Sequence, residues 1–61
     1  MKFTCHAIVD AQGNALKWVI TGCDRVYRGS FLDTLKDRVR LEFPAAEFEE
    51  GEPVPWGTDP F

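Results

Sequence analysis

Sulfur and imidazole are scarce in this chain: its 61 residues hold two cysteines, one histidine and one methionine. Two cysteines do not make a disulfide framework. Cys5, His6 and Cys23 also lack the closely spaced Cys-x2-Cys pairing that announces zinc, and neighbours in an alternating run such as Cys5 and His6 point to opposite faces of a strand. No metal and no other cofactor is expected. A Cys5–Cys23 disulfide stays open at this stage, because it depends on how the strands register.

A catalytic set is missing as well. Nucleophilic catalysis would need Ser30 or a cysteine within reach of His6 and an orienting carboxylate, and Ser30 is accounted for as a helix cap. Paired carboxylates occur only near the C-terminus, where the sequence supplies nothing to desolvate them. The chain is therefore not expected to be an enzyme or to take a small-molecule substrate. No apolar run approaches the ~18 residues that span a bilayer, and the short mixed stretch from Lys2 to Asp10 does not resemble a signal peptide. A soluble cytoplasmic protein with reduced thiols is expected, with no membrane partner.

Basic residues are absent after Arg40. Residues 1–40 hold all seven basic side chains and four acidic ones, whereas residues 41–61 hold six acidic side chains and no basic ones, which together give the net charge of −3. Such segregation implies either a tail paired with its own body or surfaces of opposite sign presented to partners.

What is present is an apolar share of 44% with eight aromatic residues (five Phe, two Trp, one Tyr), enough for a folded chain near the lower size limit for a hydrophobic core. Gly29 to Phe43 carries the clearest pattern. Leu32, Leu35, Val39 and Phe43 recur on one stripe of a 3.6-residue helix. Ser30 and Asp33 match a capping box at its start, and Pro44 stops it. Upstream, Phe3, Cys5, Ala7 and Val9 alternate with Lys2, Thr4, His6 and Ile8 as in a half-buried strand. Asp10 to Asn14 reads as a loop, with Gly13 and Asn14 tolerating positive φ. Leu16, Trp18 and Ile20 resume the alternation. Thr21 to Asp24 reads as a second turn, leading into a short strand from Arg25 to Arg28.

These elements predict an α+β fold in two layers, a three-stranded antiparallel meander packed on one helix at about 30–43. Residues 1–61 read as a single domain in which 44–61 form an extended, acidic, proline-containing segment. A fourth edge strand around Phe48 is left open, Pro53 to Trp56 should be extended, and Gly57 to Phe61 is turn-like.

Three groups of residues are candidates for binding. Glu42, Glu47, Glu49, Glu50, Glu52 and Asp59 form an acidic row that resembles the charge spacing of a nucleic-acid backbone; the alternative is a solubilising tail folded back on its own Arg and Lys. Arg25, Tyr27 and Arg28, with Lys36, Arg38 and Arg40, form a basic group with an aromatic ring for stacking, or else a solvated face with Asp33–Lys36 and Asp37–Arg40 pairs. Trp56, flanked by Pro53, Val54 and Pro55 and joined by Phe61, is either a lid on the core edge or an exposed anchor for a partner.

Two resemblances add to this reading. Residues 2–40, with a hairpin, Gly22-Cys23, a short strand, Gly29 and a leucine-bearing helix, resemble the N-terminal module of HicB-type antitoxins. The chain departs from them where a Pro-Gly-Cys turn and a Gly-Asp-Thr helix entry are usual. That resemblance implies an antitoxin or regulator whose partner is a small toxin. The short acidic chain, with its Glu47 to Glu52 cluster, the basic helix residues Lys36, Arg38 and Arg40, and the aromatic residues Tyr27 and Trp56, also resembles in type the small phage-encoded inhibitors called anti-CRISPR proteins. That second resemblance implies a cytoplasmic inhibitor in a bacterial host, whose partner is a protein or nucleoprotein complex such as a CRISPR effector. It would act by surface occlusion or DNA mimicry, with Glu47, Glu49, Glu50 and Glu52 standing in for phosphates. Direct nucleic-acid binding through the basic residues is the third reading.

Overall fold

The computed structural model describes residues 1–58 and 61. Strands β1 (Lys2–Val9), β2 (Ala15–Gly22) and β3 (Arg25–Gly29) form the expected antiparallel meander, followed by helix α1 (Leu32–Glu42) and strands β4 (Glu47–Glu50) and β5 (Val54–Pro55). The strand order is β3-β2-β1-β4, and β5 pairs with β1 beyond β4. Both C-terminal strands run parallel to β1, Phe3 beside Phe48 and Ile8 beside Val54. The direction follows from the connection. A helical crossover returns the chain parallel to the strand it left, and β3 already runs parallel to β1 because both oppose β2.

Each turn has a local cause. The Asp10 carboxylate accepts hydrogen bonds from the backbone N–H groups of Gln12 and Asn14, both at 2.9 Å, and these bonds hold its pKa below the usual carboxylate value. Gly13 takes positive φ there, at 85°; Asn14 does not. The second turn is made by Cys23 and Asp24 alone, with φ of 49° and 59°, the left-handed pair that a two-residue hairpin loop demands.

The helix begins later than the capping pattern indicates, which corrects the role given to Ser30. Its N-cap is Phe31, in extended conformation and without a side-chain cap. β3 stays paired through Gly29, opposite Trp18, so the chain can turn into the helix only after Ser30. Leu35 packs so closely on Gly29 that a Cβ there would stand 3.0 Å from its Cδ2. At the other end the Phe43 N–H donates to the Val39 carbonyl at 2.7 Å, immediately before Pro44.

The expected stripe does face the sheet: Leu35 and Val39 are buried with Phe3, Cys5, Ile20 and Tyr27, and Leu32, Phe43 and Phe48 pack around them. Phe3 is fully buried, with its ring 5.4 Å from Phe43 and 6.1 Å from Phe48. The sheet also has a second covered face, which alternation alone presents as the polar one. Ile8 and Val19 point away from the helix and are buried. The chain end returns to this side: the Phe61 ring lies 5.0 Å from His6, and the His6 Nδ1 lies 3.1 Å from the Glu52 carbonyl oxygen. His6 and Thr4 fill the space beside Gly51, where a Cβ would stand 2.5 Å from the Thr4 methyl and 2.6 Å from His6 Cε1.

Two stability outcomes follow from this packing. Gly51→Ala forces His6 and Thr4 aside and should lower stability by about 1–3 kcal/mol in thermal unfolding, the usual range for overpacking. Replacing Cys23 with Asn and Asp24 with Gly places residues suited to left-handed backbone in the second turn and should raise stability by about 1 kcal/mol.

Candidate functional site

The outer edge of the sheet next to β1 collects most of the acidic candidates. The Glu47 N–H donates to the Met1 carbonyl at 2.7 Å, and the Gly51 N–H to the Cys5 carbonyl at 2.8 Å. Because backbone groups alternate along a strand, Glu47, Glu49 and Gly51 turn toward β1 while the N–H and C=O of Phe48 and Glu50 face outward. No strand pairs with that outer side among the described residues. Glu47, Glu49, Glu50 and Glu52 are all exposed. Glu47 and Glu49 share the face of Thr4, whose hydroxyl donates to Glu49 Oε1 at 3.2 Å. Glu50 shares the face of Phe48, toward the helix.

These carboxylates are held against β1, with Lys2 beside Glu47 in the register, but form no ion pair with the body among the described residues. Among the described residues the ion pairs are Arg25–Glu42 at 3.4 Å and Asp37–Arg40 at 3.3 Å, and neither uses Glu47, Glu49, Glu50 or Glu52. Asp59, the last member of the acidic row, lies outside the described residues.

The basic candidates are dispersed. Arg25 and Arg28 lie on β3, at the far edge of the sheet from the glutamates. Arg25 is engaged with Glu42 and sits over the Phe43 ring at 5.9 Å. Lys36 and Arg40 cover Phe48 at 5.6 and 5.1 Å, beside the acidic edge. Tyr27, read from sequence as a stacking or contact surface, is buried at 8% exposure. Its hydroxyl donates to the Glu42 carboxylate at 2.5 Å. That bond and the burial of the ring hold the phenol pKa above its ordinary value.

Trp56 corrects the lid reading. It is 61% exposed, with Lys17 Nζ 5.2 Å from its ring, at the opposite end of β1 from Glu47; Phe61 is the aromatic ring that closes on the body. A pattern search could not separate the two, because both follow prolines in a segment with no periodicity.

Sequence reasoning missed a groove. Helix α1 lies over β2 and β3, which leaves a cleft of about 310 Å³ between its first turns and β4. Cys5, Trp18, Leu32 and Phe48 line its apolar part, and Lys36 and Glu50 its rim. Burial raises the Cys5 thiol pKa, with Lys36 opposing the shift. Both cysteines are free, Cys5 buried and Cys23 exposed, so the disulfide left open by the sequence is not formed. Among the described residues no cluster of His, Cys, Asp or Glu has metal-binding geometry, and no helix is long and apolar enough to cross a membrane.

The tyrosine and the thiols give direct checks. The single tyrosine should titrate above the ordinary phenol range by ultraviolet absorbance, and Glu42→Gln should bring it down. Its contribution to stability is present below the unfolded-state pKa and lost as pH rises through the folded one. A thiol-specific chromogenic reagent should modify Cys23 rapidly in the native protein and Cys5 only on unfolding. Comparison of the chain with known proteins gave no match to a family model, to a curated protein or to a solved structure.

Proposed function

We propose that the protein is a small inhibitor that acts by occlusion, its acidic edge occupying a basic, nucleic-acid-receiving surface on a larger bacterial complex. The observation that supports this reading is the row of exposed carboxylates at Glu47, Glu49, Glu50 and Glu52 along an extended edge, in no ion pair among the described residues. Glu47 and Glu49 are two strand residues apart, roughly 6.6 Å, a spacing suited to surfaces that bind a charged polynucleotide backbone. Trp56 lies farther along the same side of β1 and adds apolar contact area. In this reading the chain is a cytoplasmic binding protein with no substrate or cofactor, and the resemblance to anti-CRISPR proteins makes a CRISPR effector the first target to test. Direct nucleic-acid binding has less support, since Tyr27 is buried and Arg25 is engaged with Glu42.

The test is competition. A purified effector complex should lose target-DNA binding as the protein is added. Replacing all four glutamates with glutamine should slow association and flatten its salt dependence, raising the half-inhibitory concentration by at least about tenfold. An unchanged association rate would remove the acidic edge from the mechanism. Recovery from a bacterial lysate with one small protein, insensitive to nuclease, would favour the antitoxin reading instead.

A further inference from the structure

The acidic edge of the sheet is also an unfinished one. Phe48 and Glu50 present two N–H and two C=O groups outward, and β4 has no strand on that side among the described residues. Exposed edges of this kind recruit another strand unless they are blocked. Farther along, the edge is blocked: Pro53 and Pro55 have no N–H to offer, and the Pro55 carbonyl accepts from the Thr58 N–H at 3.2 Å. The open window therefore coincides with Glu47–Glu50.

Beside the window lies the groove between α1 and β4, with Phe48 and Glu50 on its near wall and Cys5, Trp18 and Leu32 deeper. We infer that this edge binds an extended, basic protein segment by strand addition, with alternate side chains of that segment meeting the glutamates and an apolar one entering the groove. Main-chain hydrogen bonds would supply affinity, and the pocket with the flanking charges would supply specificity. The inference rests on the proposed occlusion function and names the kind of surface element that the edge recognises.

Charge selects the occupant. Glu47 and Glu49 flank the window on the face away from the helix, so an added strand bearing lysine or arginine on that face meets opposite charge, whereas Lys36 and Arg40 over Phe48 accompany Glu50 on the helix face and leave that side to an apolar residue. Antiparallel pairing of β4 with β4 of a second copy would set glutamates against glutamates, which is unfavourable. Pairing with β3 of a second copy is a head-to-tail contact, which closes into a ring or grows into a filament and in either case makes the chain oligomeric. A foreign basic segment satisfies the edge without glutamates facing glutamates and without oligomerisation of the chain.

The experiment titrates the full chain with a fluorescent peptide of about nine residues, lysine alternating with valine, and reads anisotropy. Two peptides methylated on alternate backbone nitrogens, one in each frame, keep the charge and remove the donors on one edge. Methylation in one frame should weaken binding at least about tenfold while the other frame binds like the parent. Glu50→Pro removes an outward N–H and leaves the Gly51–Cys5 bond intact, so it should weaken binding at least about tenfold more than Glu50→Gln does. Equal binding of both methylated peptides, no binding below about 1 mM, or self-association of the chain that excludes the peptide would overturn strand addition. The methylated peptides probe the unaltered chain, so the result stands even if Glu50→Pro does not fold. Failure here with DNA competition intact would leave occlusion by charge alone, whereas failure of competition with peptide binding intact would overturn the occlusion reading only.

Discussion

The Phe3 side chain is where the separate parts of this molecule meet. Its ring is fully buried and stands between Phe43, just beyond the helix, and Phe48, in the strand that follows. One contact therefore ties the meander, the helix end and the acidic strand together. A chain this short has little redundant core, and truncating a buried phenylalanine typically costs about 3–5 kcal/mol. That is comparable with the whole stability expected of a domain of this size, about 3–9 kcal/mol. The acidic edge is thus held by the same packing that holds the fold.

A second consequence concerns charge. Segregation along the sequence becomes segregation across the sheet: Arg25 and Arg28 lie on β3, and Glu47, Glu49 and Glu50 on β4, with β2 and β1 between them. Adjacent strands lie about 4.8 Å apart, so the two edges are roughly 14 Å apart, beyond the screening length at physiological salt. Neither edge neutralises the other. Lys36 and Arg40 do approach β4, but their heads lie over the Phe48 ring, covering an apolar surface that the helix leaves open.

Much of this was legible in the residues. The helical stripe of Leu32, Leu35, Val39 and Phe43, both hairpins and the stop at Pro44 are local patterns, and each appears in the structure. The failures are non-local. Ser30 and Asp33 match a capping box, but the pairing of Gly29 with Trp18 keeps the chain in the sheet too long for Ser30 to cap. Ile8 and Val19 sit in the polar half of the alternation, so a second covered face could be read only by knowing where the chain end returns. The acidic residues were visible at once, whereas the direction of β4 and its open outer side depend on the crossover. Tyr27 is amphipathic, and its partner Glu42 lies on another element, so its burial left no signal in sequence.

The central claim is that the acidic segment is an ordered edge strand with one paired side and one open side. Residue-resolved amide hydrogen exchange by NMR tests it most directly. Amides of Glu47, Glu49 and Gly51 should be protected, whereas those of Phe48 and Glu50, between them in sequence, should exchange freely. Uniformly fast exchange from Glu47 to Gly51 would show that the segment is not paired with β1. Protection at Phe48 and Glu50 would show that the outer edge is already occupied, and either result would contradict the account.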